Sequence, residues 1–491
     1  MDLASLALYL LIALVTLFIL STGYFATKHK YGIPGPTLVI PLLGGIIDMV
    51  RDPYTFWEQQ RQYAIHGVSW NSILGKYTLF STKADHCQKI FMYNSVDTLT
   101  LELHPSAKVI LGADNIAFMT GPEHKALRAS FLHLFSPKAL GVYLKVQERQ
   151  LMKYIAKWIR DHPVGGKGKS VEMRNLLRVL AAETSQLTFV GPYLSNQQKF
   201  TTDFLLMTNG FLAAPIYLPG TDLWKAAKAR QRVVAELEVA VDKSKKFIKG
   251  GGEPRCLLDF WLVDILKEID EHEAQGVNLP IHCTREKMAT TMMDFLFASQ
   301  DATTAGMTWI LATMSDNPDI LQKVRQEQFK LRPHNEPITY DSLQEMTYAR
   351  QVTLECLRYR PPAPMVAMLN HKDNLKIDDD LIVPKGTLLI PSIWASCMEG
   401  FPNPHRFEPD RMGPGREEDR KFQKQFIPFG VGPHRCVGYN YAIHQLQMFL
   451  ITMATSAEWV RETNPKSNDV IYLPTLYPKD CICTWAPYAC C

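Results

Sequence analysis

A single cysteine lies in a glycine-rich loop, directly before an apolar stretch. Cys436 follows the segment 429–435, Phe-Gly-Val-Gly-Pro-His-Arg, and precedes the mainly apolar residues 439–454. Glycine lets a backbone approach a flat cofactor closely, because it has no side chain in the way. Amides at the start of a helix stabilise a thiolate at that point. A thiolate is a soft ligand that suits haem iron, so this spacing predicts a haem-thiolate site.

A second candidate is an acid within an almost wholly apolar stretch. The segment 284–315 has few charged residues between 288 and 314, and a helix that is apolar on all sides must be buried. Asp301 is the one acid near its centre. Burying a carboxylate without a partner is costly, so we expect Asp301 to have either a chemical task or a paired cation.

Two further pairs of polar residues lie one helical turn apart. Glu355 and Arg358 are three residues apart on a predicted helix and share one of its faces. His124 and Arg128 are four residues apart and point to the same side of another helix. Arginine binds carboxylates well through paired N–H donors. Taken alone, either pair would be an ordinary feature of a solvated surface.

The elements that must position these residues are mainly helices. Apolar periodicity predicts helices at 138–160, 223–249, 284–315, 318–331, 342–360 and 439–456. Short strands are predicted at 68–74, 77–81, 364–370, 381–383 and 387–390. No linker or internal repeat divides the chain after residue 51, so we expect one mainly helical body with a small peripheral sheet.

Composition excludes several other classes of protein. A hydrophobic fraction of 46% in 491 residues excludes a disordered chain. A net charge of +4, from 53 basic and 49 acidic residues, argues against a dedicated nucleic-acid binder. The ten cysteines include no CxxC pair, which argues against a zinc finger or a disulfide scaffold.

The N-terminus predicts a membrane anchor. Residues 3–20 are almost entirely apolar, and the first basic residues, Lys28 and Lys30, follow them. As a helix, such a run crosses a bilayer core of about 30 Å, and the basic residues stay on the cytosolic side. The predicted regions are an anchor with its basic stop at 1–30, a Pro/Gly-rich linker at 31–50 and a cytosolic catalytic domain at 51–491.

These motifs together resemble the cytochrome P450 superfamily, over roughly residues 31–491. The loop 429–438 is similar to its haem-binding loop, and Glu355–Arg358 is similar to its ExxR motif. The segment 121–128 resembles its Trp-x-x-x-Arg helix, with His124 in place of the tryptophan. The resemblance implies a cytochrome P450 fold, mainly α-helical with small peripheral β-sheets, preceded by a single transmembrane helix.

The resemblance also implies roles for particular residues. The cofactor is haem b, and Cys436 is the axial ligand of its iron. The other implied cofactor-binding residues are His124, Arg128, Phe429, Gly432, His434 and Gly438. Arg411 is implied to close a structural, non-catalytic cluster with Glu355 and Arg358 behind the haem.

On the helix around Asp301 the chain departs from the superfamily pattern. An acid–alcohol pair there relays protons for dioxygen activation, in the pattern Ala/Gly-Gly-x-Asp/Glu-Thr-Thr/Ser. Here Ser299 takes the glycine position and Ala302 takes the threonine position. Thr303 is the nearest hydroxyl, about 100° further round the helix. The implied catalytic residues are Asp301, with Thr303 or a water as its partner.

This departure resembles the sterol C-22 desaturases of fungi, plants and protists. The similar segments are 189–194, 297–304 and 360–366. The resemblance implies a sterol substrate, a C-22 double bond in the product, and electrons from NADPH through a separate cytochrome reductase. It places the protein in the endoplasmic reticulum membrane and implies no nucleic-acid partner. The apolar residues 204–218 could admit sterol from the bilayer or form ordinary helix core.

Three alternatives remain open at this point. One is another P450 oxidation of a sterol or lipid, such as 14α-demethylation or hydroxylation. Another is a haem-thiolate isomerase that needs no reductase. A third is a membrane haem carrier or sensor without enzymatic activity. Asp301 over the haem argues for oxygen activation and against the last two.

Overall fold

Eighteen helices carry most of the described chain. The computed structural model describes residues 3–28, 32–37, 39–40, 43–93, 95–166, 169–472 and 475–488. In chain order, helices α1–α18 span Leu3–Lys28, Ile46–Arg51, Pro53–Tyr63, Ala84–Met92, Pro105–Leu111, Gly121–Ala129, Pro137–Asp161, Met173–Phe189, Gln197–Asn209, Asp222–Lys249, Leu257–Gln275, Arg285–Asp316, Pro318–Leu331, Tyr340–Glu345, Thr347–Tyr359, Ile393–Met398, Glu418–Lys421 and Tyr439–Ser456. The predicted Lys30, at the end of the anchor, lies outside the described residues.

The strands are short and form small sheets at the edge of the helical body. Strands β1–β12 span Val68–Ile73, Lys76–Ser81, Leu99–Leu101, Val171–Glu172, Met368–Asn370, Leu375–Lys376, Ile382–Val383, Leu388–Pro391, Ala457–Glu462, Val470–Ile471, Tyr477–Pro478 and Ile482–Pro487. The largest sheet has the order β1-β2-β8-β5-β3, and a second has the order β4-β12-β9. Trp70 lies opposite Leu79 in the first sheet, and Ile482 lies opposite both Glu172 and Glu462 in the second.

Helix α12 is the central element that positions the site. The side chain of Thr284 accepts a hydrogen bond from the Lys287 amide and so caps its first turn. Most of its residues are buried against α8, α10 and α18. At Gly306 the helix touches α18 closely, because a Cβ there would come within 2.8 Å of the Leu446 side chain. This contact fixes α12 against the helix that follows the predicted cysteine ligand.

The structure confirms the mainly helical architecture, but one predicted helix is wrong. The segment 342–360 forms two helices, α14 and α15, which meet at Met346. The carboxylate of Glu327, on α13, accepts hydrogen bonds of 2.6 and 3.0 Å from the amides of Tyr348 and Ala349. A side chain from another helix thus satisfies the free amides of a new helix start, which local periodicity does not reveal.

Helix α1 covers the predicted anchor. Its side chains from Leu6 to Leu20 are exposed. Within the part of the chain that the structure describes, no helix has the length and apolar character needed to cross a membrane. The transmembrane anchor stays a prediction.

Candidate active site

The cysteine loop is a tight turn that closes on itself. The Cys436 amide donates a hydrogen bond of 3.0 Å to the Phe429 carbonyl. Gly430 and Gly432 have φ angles of 67° and 76°, which favour glycine. A Cβ at Gly432 would come within 2.8 Å of the Phe91 carbonyl oxygen. The turn therefore needs glycine here for both backbone conformation and space.

Cys436 has a free thiol. The residue as a whole is exposed, while the neighbouring protein partly desolvates the thiol. Burial raises the pKa of the thiol, while the Gly438 backbone and the cations Arg128 and Arg435 oppose that rise. The surroundings thus include groups that stabilise a thiolate once the cysteine has bound a metal ion.

Helix α12 is less buried around Asp301 than along the rest of its length. Ala298 is exposed and Ala302 is half-buried, although most of the helix around them is buried. Phe189 packs against both Phe295 of α12 and Tyr441 of α18, with ring centroids 6.2 and 5.0 Å apart. This contact brings the beginning of α18, and hence the cysteine loop, to the part of α12 before Ala302.

Three basic side chains lie next to the cysteine loop, and we call them the basic pocket: His124, Arg128 and His434. The rings of His124 and His434 stack with centroids 4.1 Å apart and planes 11° apart. In the described part of the chain, neither buried Nε2 atom has a hydrogen-bond partner. Arg128 donates a hydrogen bond of 2.7 Å to the Arg435 carbonyl. No ion pair between Arg128 and a carboxylate occurs among the described residues.

Burial lowers the pKa of all three groups. It lowers the pKa of His434 to about 4, with help from the nearby His124 and Arg128. Burial and Arg128 also lower the pKa of His124, and burial lowers the pKa of Arg128. The histidines are then neutral at pH 7, and each neutral ring has one N–H donor. Arg128 is therefore the permanent cation of the three side chains, and such a guanidinium can pair with an anionic group of a ligand.

The pocket and the thiol fit a haem. The Arg128 cation, and the Nε2 atoms of His124 and His434 where these carry the ring proton, suit haem propionate groups, and the exposed thiol of Cys436 suits the iron. Phe429, Gly432 and Gly438 shape the loop, and the Phe429 ring packs edge-on against Tyr439 at 4.8 Å. When bound, a thiolate-ligated haem supplies the cleavage of the O–O bond of dioxygen.

Behind the loop lies a buried ion-pair network, the Glu355 cluster, which consists of Glu355, Arg358, Arg411 and Glu418. Arg358 donates two hydrogen bonds to Glu355, of 2.7 and 2.8 Å. Arg411 bridges Glu355 at 3.1 Å and Glu418 at 2.8 Å. The sequence predicted three of these residues, whereas Glu418 was not foreseen.

The cluster connects to the cysteine loop through backbone contacts. Arg358 donates to the Cys397 carbonyl at 3.4 Å. Cys397 belongs to an apolar cluster with Ile427, and Val431 of the loop packs against that cluster. The Glu408 amide also donates to Glu355 at 2.9 Å. These contacts place the cluster where it can hold the loop.

Asp301 has a cation partner that sequence reasoning missed. Arg178 of α8 donates a hydrogen bond of 3.0 Å from its Nε to Asp301. It also donates to Thr208 at 2.9 Å and to Asn209 at 2.5 Å, both at the end of α9. The pair is partly exposed, with 22% of the Arg178 side chain and 17% of the Asp301 side chain accessible. Thr303 lies on the same helix and is buried.

Arg178 could not be recognised in the sequence, because it lies 123 residues from Asp301. Its helix, α8, was not predicted from the sequence either. The sequence predicted either a chemical role or a cation partner for Asp301. The structure shows the cation partner, and the chemical role stays a prediction. The partial exposure leaves the carboxylate accessible to solvent.

The fold and this site define a haem-thiolate oxidoreductase. The family model described as Cytochrome P450 matches residues 34–472. The chain belongs to the cytochrome P450 family, and its enzymes are monooxygenases that need a redox partner. A cyanobacterial P450 solved with retinoic acid bound has a TM-score of 0.77 and 22% identity, covering 91% of this chain and 98% of that one. This similarity supports the fold.

Relatives match nearly the whole chain. Cytochrome P450 710A4 from Arabidopsis thaliana is 36% identical, over 97% of this chain and 96% of its own. The C-22 sterol desaturase erg5 from Aspergillus fumigatus is 33% identical, over 95% of this chain and 92% of its own. The C-22 sterol desaturase ERG5A from Gibberella zeae is also 33% identical, over 92% and 86%.

Proposed function

We propose that this P450 introduces the C-22 double bond into the side chain of a membrane sterol. The observation that carries the proposal is the segment 297–304 of α12, Phe-Ala-Ser-Gln-Asp-Ala-Thr-Thr, which resembles that of the sterol C-22 desaturases. Two fungal proteins named C-22 sterol desaturases are 33% identical to this chain over nearly its whole length. The cofactor is proposed to be haem b with Cys436 as its axial ligand.

The proposed reaction removes two hydrogens from adjacent side-chain carbons. One dioxygen is reduced to two waters by those two hydrogens, two electrons and two protons. NADPH supplies the electrons through a separate cytochrome reductase. Each of the two carbons loses one C–H bond, and the single bond between them becomes a double bond. No oxygen enters the sterol.

The chain's own residues would control protons and access. We assign Asp301 the transfer of protons from solvent into the site, because its carboxylate is partly exposed on α12, the helix that packs against α18. Arg178 holds that carboxylate and also binds the end of α9. Ala302 places no hydroxyl beside the acid, so a water or Thr303 completes the relay.

Membrane attachment at the endoplasmic reticulum is part of the proposal. Support comes from exposed apolar side chains on α1 between Leu6 and Leu20, and from exposed Leu212, Ile216 and Leu218 after α9. Deletion of residues 1–30 should reduce partitioning into membranes while haem binding persists. Unchanged membrane association would assign the attachment to the segment 212–218 alone.

The test is product analysis with the purified full-length enzyme. The enzyme is reconstituted with a cytochrome reductase and NADPH, and sterols with and without C-24 substituents are supplied separately. Mass spectrometry should find a product lighter by two hydrogens, with the new double bond at C-22, only when NADPH is present. A product heavier by one oxygen, or one that lacks the 14α-methyl group, would replace the proposal with one of the other sterol oxidations.

A further inference from the structure

Three donor side chains meet at the loop that leads into α12, far along the chain from the cysteine loop. Glu268 lies on α11, and His282 and Cys283 lie in the short 3₁₀ helix Ile281–Cys283. Their nitrogen, oxygen and sulfur donor atoms all lie within 4.8 Å of one another. The His282 Nε2 atom is 2.9 Å from a Glu268 carboxylate oxygen.

The position of the three side chains suits a metal ion rather than a surface ion pair. His282 is 3% exposed and Cys283 is 7% exposed, so two of the donors are already desolvated. The Glu268 side chain is 30% accessible, which leaves a path from solvent to the third donor. A site with buried ligands on one side and an open edge on the other can admit an ion and one water.

The donor set is one that Zn²⁺ uses in proteins. Zn²⁺ takes thiolate, imidazole and carboxylate ligands at about 2.0–2.3 Å, usually in tetrahedral geometry. Around such an ion, neighbouring ligand atoms are roughly 3–4 Å apart, which is within the spread of these three donors. Mg²⁺ and Ca²⁺ prefer oxygen ligands, so the sulfur and nitrogen donors disfavour them.

The charges are also compatible with Zn²⁺. The Glu268 carboxylate and a Cys283 thiolate together balance two positive charges, and on binding the Cys283 thiol releases one proton to water. Burial and the Glu268 carboxylate raise the pKa of the Cys283 thiol, and Lys245 of α10 opposes that rise. A metal ion at this position therefore takes the place of the thiol proton.

We propose that Glu268, His282 and Cys283 bind one Zn²⁺ ion, with a water as the fourth ligand. The ion ties the C-terminal half of α11 to the turn directly before α12. Because Thr284 caps α12 one residue after Cys283, the ion fixes the start of the helix that carries Asp301. This site is separate from the haem site, and it does not depend on which substrate the enzyme oxidises.

The first test measures zinc directly in the haem-loaded enzyme. The protein is incubated with zinc chloride, desalted and analysed for zinc and iron by elemental mass spectrometry. Wild type should retain one zinc per iron, and Cys283→Ser and Glu268→Gln should each lose zinc affinity by about 100-fold or more. The matched controls are Glu271→Gln and His272→Gln, which change neighbouring residues on α11 and should retain zinc like wild type.

A second measurement covers variants that fold poorly. Cd²⁺ added to wild type should produce a thiolate-to-metal absorption band in the ultraviolet, and Cys283→Ser should lack that increment. The carbon monoxide spectrum of each variant confirms an intact haem site. Zinc retention below one-tenth of an equivalent in wild type, or equal zinc retention in wild type and Glu268→Gln, would overturn the proposal and leave a hydrogen-bonded triad only.

Discussion

Two regions around the cysteine loop both contain buried arginine or histidine groups, but they differ in how their charges are satisfied. In the Glu355 cluster, Arg358 and Arg411 have no exposed side-chain surface and pair with Glu355 and Glu418. In the basic pocket, the described residues offer no carboxylate to Arg128, and two histidine Nε2 atoms lack partners. A region completed by its own acids is a structural element. A region left without them can accept an anionic group of a ligand, as expected for the haem propionates.

The largest expected effect comes from breaking the completed region. Arg411→Ala removes a buried cation that pairs with Glu355 and Glu418. Removing one partner of a buried ion pair lowers the free energy of unfolding by about 3–5 kcal/mol. We expect little or no soluble, haem-loaded protein, measured by the carbon monoxide spectrum. Arg416→Ala is the control, because Arg416 binds the same Glu418 from a more exposed position and should lose about 1 kcal/mol or less. Equal yields for both variants would refute the bracing role.

The Asp301–Arg178 ion pair is intermediate between the Glu355 cluster and the basic pocket. Its two charges neutralise each other, but both side chains are still accessible to solvent. Asp301→Asn keeps the size of the side chain and removes its titratable group. We expect normal folding and haem content, but sterol turnover about 100-fold lower, the usual scale of a proton-transfer contribution. Asp316→Asn, at the end of the same helix, should retain wild-type turnover. Wild-type turnover in Asp301→Asn would make Asp301 a structural partner of Arg178 only.

The uncompleted region should show a smaller and more specific effect. Arg128→Gln removes the cation of the basic pocket and should speed haem loss to an excess of a haem acceptor by about 10-fold, since a charge-assisted hydrogen bond contributes about 1.5–3 kcal/mol. The thermal stability of the protein without haem should change little. Lys125→Gln, on the exposed side of α6, is the control and should retain haem like wild type. Unaltered haem loss in Arg128→Gln would contradict the assignment of the pocket.

The last effect concerns Asp294, a buried acid of α12, and it depends on pH. Asp294 accepts hydrogen bonds from Asn115 and the Ile116 amide, and burial raises its pKa to about 8. Lys287, Asp114 and Arg230 are the charged groups that act on it.

A raised pKa means that the folded protein holds this proton more tightly than the unfolded chain. The stabilising contribution is complete at low pH and is lost as the pH rises toward 8, by at most about 1.4 kcal/mol per pH unit. Asp294→Asn should therefore become more stable relative to wild type between pH 6 and 8, and the difference should level off above pH 8. Thermal unfolding at each pH measures this, with Glu286→Gln as the control. A pH-independent difference would refute it.

Sequence reasoning worked where one local signal decides the structure. The helices at 137–161 and 285–316 begin after Ser136 and Thr284, whose side chains cap them, and their predicted ends differ by one residue. The residues of the cysteine loop and the Glu355–Arg358 pair were also identifiable, because they lie close together in the chain.

It failed where distant segments decide the structure. The strand Ile482–Pro487 pairs with Glu172, about 300 residues earlier, and no local pattern announces that pairing. The break at Met346 depends on Glu327 from another helix. Arg178 pairs with Asp301 only after folding brings α8 and α12 together. The charge partners of a buried residue are therefore the part of a site that sequence alone reveals least.

The most direct test of the account is the reduced carbon monoxide spectrum of Cys436→Ser beside Cys397→Ser. Both cysteines are free, but Cys436 is exposed in the glycine-rich loop, whereas Cys397 is fully buried in the apolar cluster with Ile427. The account predicts that Cys397→Ser keeps the thiolate-type band and that Cys436→Ser loses it. A thiolate-type band that persists in Cys436→Ser would contradict the assignment of the haem site.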